Sequence, residues 1–187
     1  MADTNEDIAN SALSKLGAEE ITSLSDTSRR AKLCNRQFHK IRKKVMRSHP
    51  WNFAIKRASL TADASTPEFE YSTNFILPSD FLRGIREEYK DVDWKVEGEF
   101  LVSNETSFNL LYIADITDPT KFDPTFDELF SLTLAHELAY PLVQSLSLKS
   151  ELAKELLNFD LPDARSFDAQ EGTPEELETN TWLNSRL

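Results

Sequence analysis

Apolar residues recur at three- and four-residue intervals over Ile8, Ala9, Ala12, Leu13 and Leu16, which predicts a short amphipathic helix over Asn5–Leu16. Thr4 and Asp7 have the spacing of a capping box, and Gly17 suits the residue just past the helix end. A second, longer helix is predicted from Thr27 to about Ser48, capped by Ser25 or Asp26 and ended by Pro50. At 100° per residue, Cys34, Phe38, Ile41 and Val45 share one face of it. Arg29, Lys32, Arg36, Lys40, Lys43 and Arg47 fall in a narrow row opposite.

From Trp51 to Ile116 the period shortens to that of strands. Phe53, Ile55 and Leu60 mark a first strand, and 74–77 and 84–89 mark two more. Trp94–Val96 and Phe100–Val102 form a hairpin around Glu97-Gly98-Glu99, and 110–116 closes the set. Pro67, Pro78 and Pro119 punctuate the strand ends. Helical spacing returns at Asp123-Pro124, a capping side chain followed by proline at the first helical position, with Phe126, Leu129, Phe130, Leu134, Leu138 and Leu142 as its apolar stripe. Pro141 is expected to kink its last turns. A fourth helix is expected near Ser147, burying Leu148, Leu152, Leu156 and Leu157, with Pro162 limiting or bending it.

The order helix, helix, strands, helix, helix predicts an α+β chain that is mainly a bundle of about four helices. Residues 1–50 and 120–170 form the bundle, and 51–119 a small inserted β-sheet or barrel domain. Residues 171–187 form an extended C-terminal arm. This arm is polar and acidic, yet it ends in Trp182, Leu183 and Leu187, apolar anchors suited to docking on another surface.

Charge changes this picture most. The 187 residues carry a net −11, but all eleven Lys/Arg between Thr27 and Ala62 stand without a single Asp or Glu. The rest of the chain holds 10 basic and 32 acidic side chains, a net −22. Such a division lets copies of one chain, or an acidic partner, attract each other, while the overall negative field disfavours non-specific adhesion to nucleic acid. No apolar run approaches the roughly 18 residues of a membrane span, so no membrane partner is expected, and the chain reads as made in a cytosol-like compartment.

The chemistry-bearing residues are few. His136-Glu137-Leu138-Ala139-Tyr140 begins like a zinc-protease helix but has Tyr140 where the second imidazole belongs. Cys34 has cations nearby but sits on the apolar face, where a structural cysteine is the simpler reading. With four glycines there is no phosphate-cradling loop and no nucleophile elbow, so neither catalytic residues nor a cofactor are assigned. The basic row could contact DNA phosphates, although no helix-turn-helix or zinc-finger spacing accompanies it, and acidic protein surface is the preferred partner. A polysaccharide hydrolase using two of the carboxylates is the enzymatic alternative, with nothing to single out the pair.

The run Arg47-Ser48-His49-Pro50-Trp51-Asn52-Phe53-Ala54, preceded by Leu33-Cys34-Asn35-Arg36, resembles the signature of the tail tubular protein A family, the head-to-tail adaptors of short-tailed bacteriophages. Further pieces agree in order: Ala12-Leu13-Ser14-Lys15-Leu16-Gly17, Phe75-Ile76-Leu77-Pro78-Ser79-Asp80-Phe81-Leu82-Arg83, Leu111-Tyr112-Ile113, Asp118-Pro119, Phe122-Asp123-Pro124 and Asp168-Ala169-Gln170-Glu171-Gly172. The resemblance implies a non-enzymatic virion protein of the tail or neck, assembled in the host cytoplasm. It implies a dodecameric ring beneath the portal protein, with the tail nozzle below and tail fibres attached, enclosing the channel through which the genomic DNA leaves. In that setting Arg29, Lys32, Arg36, Lys40, Lys43 and Arg47 are expected to face acidic groups of a neighbour or of the portal. Trp182 and Leu183 are expected to insert into a groove of one or the other.

Overall fold

A computed structural model describes residues 4–85 and 92–157. It is an α+β structure of four helices and two small antiparallel sheets. Helix α1 spans Asn5–Lys15, held at its start by the expected capping box: Thr4 Oγ1 accepts from the Asp7 amide and Asp7 Oδ2 from the Thr4 amide, both at 3.1 Å. Gly17 follows with φ +64°, a conformation that glycine adopts without steric cost. Asn10 then ties the returning loop down, its side chain bonding the Ile21 carbonyl at 3.0 Å and the Ile21 amide at 2.9 Å.

Helix α2 spans Arg29–Ser48 and starts two residues later than its pattern predicts. The reason is competition for caps: the Asp26 carboxylate accepts from the Thr22 and Ser23 amides inside the loop, so Ser28 does the capping, accepting from Ala31. Pro50 follows the helix end, and Trp51 leads into a 3₁₀ turn over Asn52–Ala54 before β1, Ile55–Leu60. Phe53 therefore lies in this turn and not in a strand.

The remaining strands are β2 (Thr73–Ile76), β3 (Phe81–Gly84), β4 (Trp94–Glu97), β5 (Phe100–Ser103) and β6 (Phe108–Ala114). They pair in the orders β1-β6-β3 and β2-β5-β4. β3 pairs with β6 through Phe81, Arg83 and Gly84 opposite Ala114, Ile113 and Tyr112, with a register shift between Phe81 and Arg83; of the strand expected over 84–89, residues 86–89 lie outside the described residues. The β4–β5 hairpin forms as predicted, with Gly98 at φ +61° in its turn. The two sheets meet through aromatic rings, Phe75 and Trp94 lying 5.8 and 6.0 Å from Phe108. Trp94 also lies so close to Gly84 that a Cβ there would stand 2.5 Å from the indole, so only glycine fits that strand position.

Helix α3, Pro124–Leu138, is capped by Asp123 and apolar nearly all round. Its two buried hydroxyls, Ser131 and Thr133, bond back to the carbonyls of Glu128 and Leu129. The stripe expected for it is thus one side of a helix that is also buried at Leu132 and Ala135. Pro141 does not kink an α-helix; it sits in a π turn over Ala139–Val143, whose wider ring accommodates the missing amide, and Gln144 at φ +57° ends that turn. Helix α4, Leu146–Glu155, is capped by Ser145 and buries Leu152, whereas Leu157 is 69% exposed. Residues 158–187, including Pro162 and the arm, lie outside the described residues.

One contiguous core joins helices and sheets. Its centre is a run of aromatic rings: Phe38 against Phe130 at 4.8 Å, and Phe126 against Trp51, Phe53 and Phe122 at 5.0–5.3 Å. Trp51 is fully buried and donates its indole N–H to the Val45 carbonyl at 3.1 Å. Trp51→Ala should therefore cost about 3–5 kcal/mol. Denaturant unfolding checks this, and a loss below about 1 kcal/mol would remove Trp51 from its central place.

Candidate functional site

The cationic face of α2 is set by what the other face buries. Ala31, Cys34, Phe38, Ile41, Val45 and Met46 all point into the core. Arg42 joins them at 3% exposure, its guanidinium 2.7 Å from Asp115, just past the end of β6. Beside it the Ile116 amide donates to Met46 Sδ at 3.4 Å. Sequence reading left Arg42 unassigned, yet its position four residues after Phe38 and four before Met46 places it on the buried side.

With α2 fixed in this rotation, all six predicted cations are exposed. Arg29 Nη2 donates to the Pro141 carbonyl at 2.9 Å, tying the start of α2 to the π turn. Lys43 reaches the second oxygen of Asp115 at 3.2 Å while remaining half exposed. Lys32, Arg36, Lys40 and Arg47 have no carboxylate within 4.0 Å among the described residues. From Arg29 to Arg47 the row runs about 27 Å along the helix. Of the other cations of the same segment, Arg30 pairs with Glu19 at 2.8 Å, Lys44 with Glu137 at 3.6 Å and Lys56 with Asp80 at 2.7 Å, whereas Arg57 on β1 is exposed with no carboxylate within 4.0 Å among the described residues. Lys32, Arg36, Lys40 and Arg47 thus place four charges without a local carboxylate along one helix face.

At its C-terminal end the row reaches a cleft of about 690 Å³ whose lining includes Arg47, Arg83 and Lys95 together with Phe81, Trp94 and Val96. The opposite sign gathers on the β2-β5-β4 sheet and the loop before it. Glu68, Glu70, Asp93, Glu97, Glu99 and Glu105 are exposed there, and Lys95, paired with Glu97 at 2.7 Å, is the sole base among the described residues of that region. Trp182 and Leu183 lie outside the described residues.

The remaining candidates carry no such signal. Burial pushes the Cys34 thiol up to about 11, so it stays protonated and is a core side chain. Tyr140 stands 53% exposed beyond His136 and Glu137, and no group of three or more potential metal ligands converges among the described residues. No helix of the described residues is long and apolar enough to cross a membrane. At Asp80, burial opposes ionisation, but hydrogen bonds from Lys56 and Tyr112 prevail and hold the carboxyl below its usual range. Tyr112, half of that pair, is pushed up to about 12 by burial and then by Asp80. These two serve the packing of β1, β3 and β6. No family model matches the chain, and no curated protein sequence matches it.

Two outcomes separate the structural cations from the exposed row. Arg42→Met should cost about 3 kcal/mol, the lower end for a broken buried ion pair because Lys43 still faces Asp115, whereas Lys40→Glu should stay within about 0.5 kcal/mol in thermal or denaturant unfolding. Equal losses would mean that the row is structural. His136 is held below its ordinary value by burial, then by Lys149 and Lys44, against Glu137. Its neutral form is thus favoured in the fold, and stability present above pH 6.5 should decline as pH falls through that value and below. In His136→Gln this part of the slope should vanish, as measured by melting between pH 7.5 and about 5.

Proposed function

We propose that this chain is a structural virion protein, a ring-forming adaptor that joins a portal at the capsid vertex to the tail below and surrounds the path of the DNA. The observation that carries the reading is the exposed cationic row of α2, in which Lys32, Arg36, Lys40 and Arg47 have no carboxylate within 4.0 Å among the described residues, on a chain whose β2-β5-β4 sheet is acidic. A closed ring requires two different, complementary patches on each subunit, since a heterologous contact repeats until the rotation closes. Arg36, Lys40 and Arg47 supply one sign and the carboxylates around Glu97 and Glu99 the other. The resemblance of the Arg47–Ala54 run to the tubular-tail adaptors supports the same reading and supplies its dodecameric stoichiometry. On this view the helices and the sheets form a bundle and an inserted module, the arm reaches outward, and the role is mechanical, with no catalysis.

The second reading is a DNA-binding accessory factor, and the same exposed row favours it, since lysine and arginine without local partners also suit phosphates. Steeply salt-dependent DNA binding by the monomer would select this alternative.

The adaptor reading is tested by mass measurement of the chain alone and after mixing with portal rings of a short-tailed phage. Ring-sized complexes should form with the portal. The double reversal Lys40→Glu with Arg47→Glu should weaken them at least about tenfold while leaving the melting transition in place, as loss of several interfacial charge pairs does. Undiminished assembly by that variant defeats the proposed interface.

A further inference from the structure

Where α3 passes into the π turn, apolar surface is left uncovered: Tyr140 is 53% exposed, Val143 40% and Leu146 68%. The bond from Arg29 to the Pro141 carbonyl brings the start of the cationic row against this patch. Lys32 and Arg36 follow one and two turns along α2, exposed and without a carboxylate partner among the described residues. The surface is thus apolar at one end and positive over roughly the next 10 Å.

The chain contains a segment with the complementary order. In residues 173–187, Glu175, Glu176 and Glu178 precede Trp182 and Leu183, and across 158–187 seven carboxylates outnumber two arginines. Trp182 comes four positions after Glu178, about 13 Å when extended, so the acidic and apolar parts of the segment can lie on adjoining positive and apolar surfaces. From Leu157, the last described residue, 25 residues lead to Trp182, a reach of up to about 85 Å and enough to cross to an adjacent molecule.

We infer that residues 173–187 of one copy dock on this composite surface of a neighbouring copy. Trp182 and Leu183 cover Tyr140, Val143 and Leu146, and the three glutamates lie along Arg29, Lys32 and Arg36. Docking in trans rests on the reading of the chain as self-assembling. The tryptophan supplies the large buried contact and the charges fix the direction, a usual division of labour in an interface. Each arm reaching to the next molecule gives a head-to-tail contact of the kind that closes rings.

The test uses the full chain and reads association by sedimentation velocity, with melting curves to confirm that each variant is folded. One variant carries Lys32→Glu and Arg36→Glu; another carries Glu175→Lys, Glu176→Lys and Glu178→Lys; a third carries Trp182→Ala. The parent chain should self-associate below about 1 mM, and each variant alone should do so at least about tenfold more weakly. Mixing the two charge-reversed variants should restore association, because the reversed arm of one molecule meets the reversed helix of the other. A mixture no better than its components, an unweakened Trp182→Ala, or a parent chain that stays monomeric overturns the inference. If the arm variants still build portal-bound rings at full strength, this contact is wrong and the adaptor reading stands. If the parent forms arm-dependent oligomers but no ring with the portal, the contact stands and the adaptor reading falls.

Discussion

The ion pair between Arg42 and Asp115 fixes more than its own surroundings. A guanidinium that is 3% exposed cannot be left without a countercharge, and the carboxylate that meets it belongs to the chain leaving β6. The contact therefore sets how α2 is rotated about its axis against the sheet. Once Arg42 points inward between Phe38 and Met46, the 3.6-residue period leaves Lys32, Arg36, Lys40, Lys43 and Arg47 outside. A rotation of α2 by one residue would bring part of that row toward the core at a prohibitive desolvation cost. The chemistry of the exposed face is thus a consequence of the buried face, with the Arg42–Asp115 pair its one charged contact, and the geometry of a helix.

The aromatic run through Phe38, Phe130, Phe126 and Trp51 performs the matching task for translation along the helices. Rings of that size interlock, so α2, the turn after Pro50 and α3 cannot slide past one another without opening voids. Phe53 and Phe122 extend the same packing to the segments entering β1 and α3. Together with the pairing of β6 between β1 and β3, these contacts make the cationic helix face a rigid feature of the fold.

Much of this is legible in the amino-acid sequence, wherever one local pattern acts alone. The Thr4–Asp7 box, the Gly98 hairpin and the Asp123-Pro124 helix start form as read, since each depends on residues a few positions apart. The discrepancies arise where a distant or competing partner decides. Asp26 had good capping chemistry, but the loop amides of Thr22 and Ser23 claimed it. The start of β3 at Phe81 goes with its pairing on β6, some thirty residues away, which its own apolar content does not specify. The π turn at Pro141 depends on backbone geometry that residue type alone does not specify. The candidate site was more legible than the sheets, because six cations at helical spacing make a face regardless of tertiary context. What spacing alone did not give was Arg42's inward turn and the exposed apolar patch beside Arg29, which exist only once α2 meets the end of α3.

Exposed charges of one sign on a single helix repel each other, and at the low net value of individual surface ion pairs their retention needs a reason other than stability. Locally neutralised cations such as Arg30 and Lys44 show how the same helix accommodates charge when no external partner is involved. Among the described residues, Lys32, Arg36, Lys40 and Arg47 are left without that accommodation, although exposed carboxylates such as Glu68, Glu97 and Glu99 stand elsewhere on the same surface. The fold of the described residues brings none of those carboxylates to them. On the proposed reading that separation is what assembly requires: charges paired inside a monomer are spent on its own surface, whereas charges kept apart attract the next molecule, in an orientation that the rigid α2 face then fixes.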